Sequence, residues 1–77
     1  MPRLPRVRAA EIAKAMERSG FSLSRTRGSH HIYHSADGTR RVVVPHHGSR
    51  VVPPGTVANI LRQAGISDEE FRDLLKG

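Results

Sequence analysis

The first regular pattern in the chain is an apolar stripe with the period of an α-helix. Four apolar residues recur at intervals of three or four positions: Ala9, Ile12, Ala13 and Met16. Charged side chains occupy the opposite side, so the stripe predicts an amphipathic helix. We expect it to begin near Arg8 and to end at Gly20, since glycine readily adopts a left-handed C-cap conformation. No Ser, Thr, Asp or Asn stands where an N-cap is expected, which leaves the start of the helix open.

The middle of the chain has a pattern typical of strands. Three segments alternate between apolar and polar residues or are β-branched: residues 21–25, 29–34 and 41–44. Arg27 and Gly28 separate the first two, and the Asp37-Gly38 pair between the second and third is a strong hairpin signal. Pro45 ends the third segment. Because both connections are short, we predict an antiparallel meander of three strands.

Two further helices are predicted after a loop at residues 46–55. Pro54 restricts Pro53 to an extended conformation, so we do not expect the next helix to begin there, and Thr56 is its candidate cap. Helical spacing of apolar residues supports that helix up to Gly65: Val57, Ile60, Leu61 and Ala64. Ser67 and Glu70 form a capping box that opens a short last helix. Its apolar side is Phe71, Leu74 and Leu75.

The order αβββα, followed by a short C-terminal helix, predicts a two-layer α+β fold. Helices on one face of a three-stranded antiparallel sheet leave the other face for solvent or a ligand. We expect residues 1–77 to form one domain, with residues 1–7 as a loose N-terminal lead-in.

Length and composition exclude several classes of protein. The chain has 77 residues and no cysteine, so neither disulfides nor a cysteine-based zinc site stabilises it. No apolar run approaches the roughly 20 residues of a membrane-spanning helix. The basic N-terminus has no apolar segment behind it and does not resemble a signal peptide. We therefore expect a cytoplasmic protein without membrane contact.

Positive charge is concentrated in the middle of the chain. The formal net charge is +6, and Asp37 is the only acidic residue between Arg25 and Arg62. Six arginines occupy that segment: residues 25, 27, 40, 41, 50 and 62. This distribution favours a polyanionic partner, most simply nucleic acid. We favour nucleic acid over a merely solubilising surface because the histidines lie in the same segment, whereas an acidic protein that covers this surface is equally compatible.

All five histidines lie between positions 30 and 47, within the same basic segment. Histidine suits proton transfer near neutral pH because its unperturbed pKa lies near ~6.5. Strand alternation places His30, Ile32 and His34 on one sheet face and His31 and Tyr33 on the other, without indicating which face the helices cover. We expect His31 and His34 to face solvent and Tyr33 to belong to the core.

Clustered histidines also occur in zinc sites. Here, neighbouring histidines on a strand point in opposite directions, and Asp37 is the only nearby carboxylate. We therefore expect neither a metal site nor a cofactor.

Three motifs follow one another along the chain: Gly28-Ser29-His30 with Tyr33, then residues 44–48 (Val-Pro-His-His-Gly), then residues 54–56 (Pro-Gly-Thr) leading into residues 60–66. Together they resemble the HicA (YcfA-like) mRNA interferase toxin family. Each motif is weak alone, but the ordered set is specific, and the resemblance extends from Arg8 onward.

The resemblance implies a double-stranded-RNA-binding-like fold and a metal-independent RNA endonuclease that a HicB-like antitoxin neutralises. The family's catalytic histidine corresponds to His30, and its Pro-x-His pattern falls on His47, which is a candidate second participant or a phosphate contact. The motif glycine and serine are Gly28 and Ser29. We add four arginines as candidate RNA-binding residues: Arg25, Arg27, Arg41 and Arg50.

Two other functions fit the residues. The basic αβββα layout also suits a non-catalytic RNA- or DNA-binding module, since a fold alone does not imply catalysis. A protein-interaction module with an acidic partner is the third interpretation.

Overall fold

A computed structural model describes residues 4–77 and contains six elements in the predicted order. They are α1 (Ala9–Arg18), β1 (Ser22–Arg27), β2 (His30–His34), β3 (Arg41–Pro45), α2 (Pro54–Ala64) and α3 (Asp68–Lys76). The strands form one open antiparallel sheet in the order β1-β2-β3. The predicted α+β class, the meander and the short C-terminal helix are therefore confirmed. Among the described helices, none has the length and apolar character that crossing a bilayer requires.

One face of the sheet packs against the helices. Tyr33 from β2 and Val42 and Val44 from β3 are buried in the same apolar cluster as Ile12 of α1 and Ile60 of α2. Residues that are directly opposite in paired strands share a face, so this burial fixes the orientation of the whole sheet. The core status predicted for Tyr33 is confirmed, since only 3% of its surface is exposed.

The expected lead-in at residues 1–7 divides into two parts. Residues 1–3 lie outside the described residues. Val7 is buried, its carbonyl accepts a hydrogen bond from the Val52 N–H at 2.8 Å, and Arg8 forms a β-bridge with Val51. The segment just before α1 is therefore packed against the loop that precedes α2.

The structure explains where α1 and α2 begin. The sequence left the start of α1 open and predicted a wrong start for α2. At α1, the Glu11 carboxylate accepts a hydrogen bond from the Arg8 N–H at 2.9 Å, which ties the first turn to the N-cap residue in the absence of a Ser, Thr, Asp or Asn cap. The expected start of α2 at Thr56 is wrong, because the helix begins at Pro54. Proline is favoured at the first helical position, where its missing N–H would have no partner, and the extended Pro53 serves as N-cap.

Strand β1 extends to Arg27 and is exposed along its whole length. The half-buried pattern expected for residues 21–25 is confirmed for Phe21, which is buried just before the strand, but it is wrong for Leu23, because 48% of the Leu23 surface is exposed. Both α1 and α2 pack against β3, at the opposite edge of the sheet, so the helical layer does not cover β1. A bulge between Leu23 and Arg25 also interrupts the alternation of side chains.

The last helix is part of the core. The Ser67 hydroxyl accepts a hydrogen bond from the Glu70 N–H at 3.1 Å, which confirms the predicted cap. Phe71 is fully buried, and Leu74 and Leu75 pack against the same cluster. Helix α3 thus contributes apolar surface that a chain of this length needs for stability.

The β2–β3 hairpin gives the protein a predicted acid sensitivity. Asp37 Oδ1 accepts hydrogen bonds from the Ser35 hydroxyl, the Thr39 N–H and the Thr39 hydroxyl, at 2.7, 3.0 and 2.8 Å. These bonds lower the pKa of Asp37 from 3.8 to about 2. Because the folded state favours the ionised carboxyl, its stabilisation is complete above about pH 4 and is lost as the pH falls toward about 2. We expect Asp37→Asn, which keeps an acceptor oxygen, to show a smaller fall in melting temperature over this interval than the wild type. Equal falls would contradict the assignment.

Candidate functional site

The sheet face opposite the helices carries the candidate catalytic histidine. We call it the open face. His30, Ile32 and His34 of β2 lie on it, because Tyr33 and His31 alternate onto the covered side. His30 is exposed and pairs with Arg27 of β1 on one side and with Pro45 of β3 on the other. The three residues form a row across the sheet at its end.

The turn before His30 is tied to the loop after β3. Gly28 has φ +57, a conformation that side-chain-bearing residues rarely adopt, in the two-residue turn between β1 and β2. The Ser29 carbonyl accepts a hydrogen bond from the His46 N–H. The two motifs that hold the candidate histidines are therefore joined by a backbone hydrogen bond.

His47 follows Pro45 by two residues and is exposed. Because Pro45 is the cross-strand partner of His30, the Cα atoms of His30 and His47 are no more than about 13 Å apart. The structure thus brings both candidate histidines to the same end of the sheet.

Three of the four candidate arginines surround one hollow, which we call the arginine recess. It measures about 280 Å³ and is lined by Ser24, Arg25, Arg27, Ile32, His34 and Arg41. Ile32 lies outside the main core, yet only 5% of its surface is exposed, since the neighbouring side chains in the recess shield it. The His34 side chain lies on the open face, as expected for a side chain that faces solvent, but it is half-buried because it lines this recess. The sequence could have indicated this position, because the predicted hairpin between the second and third strands places His34 opposite Arg41.

Arg50 lies at a different hollow, which we call the valine recess. This recess measures about 220 Å³ and is lined by Pro45, His47, Arg50, Val51, Val52 and Pro53. The row through His30 connects the two hollows, because Arg27 lines the first and Pro45 lines the second. The candidate RNA-binding arginines are therefore divided between the two sides of His30.

The strands that form the open face carry positive charge and no negative charge. None of the three strands contains an acidic residue, whereas the acids of the helical layer lie on α1 and α3. Elsewhere, the Arg8, Arg18 and Arg40 side chains donate hydrogen bonds to backbone carbonyls. Within residues 4–77, the guanidinium groups of Arg25, Arg27 and Arg41 have no such bond, so they remain available to an anion. Exposed arginines clustered in this way bind phosphate groups well.

Two histidines pair in a way that the sequence did not indicate. The rings of His31 and His46 stack with centroids 4.5 Å apart and planes 2° from parallel. His46 Nδ1 is buried without a hydrogen-bond partner within the described chain. His31 is half-buried, so the expectation that it faces solvent is wrong. The ring nitrogens of a parallel stack do not converge on one point, and no group of three metal-ligating side chains occurs among residues 4–77.

Tyr33 does not add acid–base chemistry to the site. Burial, reinforced by the negative charge of Glu17, raises its pKa above 10.0. The phenol thus stays protonated at neutral pH, on the covered side of the sheet. The exposed groups suited to proton transfer at this end of the sheet are His30 and His47.

The fold and the site together define a small basic α+β protein that presents a histidine among arginines on an open antiparallel sheet. Residues 9–66 match a family model described as "HicA toxin of bacterial toxin-antitoxin". Because the match covers most of the 77 residues, the chain belongs to the HicA toxin family. No curated protein matches it. The matched residues end before α3, which lies outside the shared region.

The arginine recess makes a quantitative prediction about polyanion binding. Arg41→Gln should weaken binding to a single-stranded oligonucleotide and should make the dependence of log K on log salt less steep by about 0.7, the contribution of one phosphate contact to a single strand. The measurement is a salt titration by fluorescence anisotropy. Arg62→Gln is the matched control, because Arg62 lies on α2 and its Nη1 donates to Asn59 Oδ1. Equal changes in both variants would show that only net charge matters.

Proposed function

We propose that this HicA-family toxin is a metal-independent RNA endonuclease, an mRNA interferase, in which His30 acts as general acid or base at the RNA 2′-OH and phosphate. The observation that carries the proposal is the position of His30. It is exposed on the open face, in an acid-free sheet, between the arginine recess and the valine recess. Membership of the HicA family supports the same function.

RNA supplies its own nucleophile, so the protein needs few groups. The 2′-OH loses a proton and its oxygen attacks the adjacent phosphorus, while the bond to the 5′-oxygen breaks and that oxygen gains a proton. A histidine is suited to either transfer, and such catalysis typically contributes ~10²–10⁴-fold. Arg27, the cross-strand neighbour of His30, is placed to stabilise the charge that develops on the phosphoryl oxygens.

The remaining candidates have supporting roles in this proposal. Arg25 and Arg41 hold phosphates along the strand, and Arg50 does so on the other side of His30. Gly28 and Ser29 position His30 through the turn and its hydrogen bond to the next loop. His47, at the same end of the sheet, is the candidate for the second proton transfer. The substrate is mRNA, and we place the reaction in the cytoplasm.

A non-catalytic RNA- or DNA-binding module is the second candidate function. One observation favours it: within the described residues, the His30 side chain has no hydrogen-bond partner that would orient its ring. Catalytic histidines are usually oriented by a third group. RNA itself supplies such a partner in the first proposal, whereas the second requires only the arginines.

We further propose that the antitoxin, a HicB-like protein, covers the open face. The exposed arginines form an unpaired positive surface, and complementary charge accelerates association. An inhibitor that grips α3 is less compatible with the fold, because Phe71 is fully buried and Leu74 and Leu75 pack against the core.

The catalytic proposal predicts the behaviour of His30→Ala. RNA cleavage in EDTA should fall by at least about 10²-fold, while RNA binding persists because the arginines remain. Expression of the wild type should arrest growth, and expression of the variant should not. His31→Gln, a change on the opposite face of the same strand, should leave cleavage in place. If the wild type binds RNA without producing fragments, or if His30→Ala cleaves equally well, the non-catalytic function is favoured.

The antitoxin proposal predicts that His30 is protected in the complex. Chemical modification of His30, followed by mass spectrometry, should be much slower in the toxin–antitoxin complex than in the free toxin. The complex should also fail to bind RNA. Direct occlusion is wrong if His30 stays as reactive as in the free protein while cleavage is lost.

A further inference from the structure

The valine recess has the chemistry of a site for a flat, partly apolar ring. Its walls are Pro45, Val51, Val52 and Pro53, and its polar side chains are His47 and Arg50. Its volume of about 220 Å³ is below the 300–1,000 Å³ typical of pockets for drug-sized ligands, so it suits one small ring system.

An exposed apolar side chain marks this recess. Val51 and Leu23 are the two large hydrophobic residues that are exposed among the described residues, at 42% and 48%. Val51 follows Arg50 directly and lies in a chain with a net charge of +6. Apolar surface next to a guanidinium group is the combination that binds a nucleotide, whose base is flat and whose phosphate is negative.

The recess is held in shape from both ends. At one end, the His46 N–H donates to the Ser29 carbonyl. At the other, the Val52 N–H donates to the Val7 carbonyl, and Arg8 Nε donates to the Ser49 carbonyl at 2.8 Å. These contacts connect the loop to the His30 turn and to the segment before α1. A pocket that exists before its ligand arrives loses less entropy on binding.

The location of the recess relates it to the proposed catalytic centre. Pro45, one of its walls, is the cross-strand partner of His30, and Cα atoms of paired residues lie only about 4.5–5.5 Å apart. A nucleotide whose phosphate lies at His30 therefore has its own base, or that of its neighbour, within reach of the Pro45 wall of the recess.

We propose that the valine recess receives one base of single-stranded RNA beside the phosphate at His30, with Val51 as its apolar wall and Arg50 as its cation. This inference rests on the proposed function, since it assumes that RNA occupies the open face. The recess would then make binding depend on bases as well as on phosphates, and the base it accepts would influence where the toxin acts.

The test distinguishes the contribution of bases to binding from the contribution of phosphates. A chain carrying His30→Ala is titrated with a short single-stranded RNA of mixed sequence and with a ribose-phosphate strand of equal length that lacks bases. We expect the RNA to bind about tenfold more tightly, the scale of one base contact. In methyl NMR spectra, the Val51 methyl resonances should shift upfield with the RNA and stay in place with the base-free strand.

Two matched variants complete the test. Adding Val51→Ser should reduce the preference for RNA over the base-free strand by about fivefold, because contacts with methyl groups are lost. Adding Leu23→Ser removes a comparable exposed side chain on β1 and should leave the preference unchanged. An undiminished preference in the Val51→Ser variant, or unmoved Val51 methyl resonances, would overturn the inference.

The outcomes also distinguish this inference from the proposed catalysis. Binding that depends on Val51, together with a wild type that does not cleave RNA, supports the recess and overturns the catalytic function. Cleavage by the wild type with no base preference at Val51 overturns the recess alone. If neither strand binds, both proposals are overturned.

Discussion

The burial of one sheet face decides where the candidate site residues on the three strands lie. Tyr33, Val42 and Val44 pack against the helices, and the twofold alternation of strands then turns His30 and His34 to the opposite side. A shift of one residue in the strand register would exchange the two faces. The hydrophobic core is therefore the constraint that places a histidine among arginines on an exposed surface.

In so small a protein, the loops contribute to the fold as well as to the candidate site. The loop between β3 and α2 supplies His47 and Arg50, and it is tied by hydrogen bonds to the turn before His30 and to Val7. A 77-residue chain buries only a small hydrophobic core, so backbone hydrogen bonds between loops help to fix the positions of these loops. The same contacts that stabilise the fold thereby fix the distance between the two recesses.

Charge is separated between the two layers of the molecule. The helices carry most of the acids and the open sheet carries arginines, with Asp37 held in a turn by its own hydrogen bonds. In the proposed function, this polarity attracts RNA, and it offers the antitoxin the same surface. Competition for one face would be sufficient for inhibition, without a conformational change in the toxin.

The sequence by itself determined the element order, the α3 cap at Ser67 and the concentration of charge, because each depends on neighbouring residues. Tertiary structure decided which face is open, since both faces of β2 carry histidines and only packing distinguishes them. It also decided the exposure of Leu23, which lies on the strand that the helices do not reach. Tertiary structure also formed the valine recess, because its walls come from β3 and from a loop whose path depends on contacts with Val7 and Ser29.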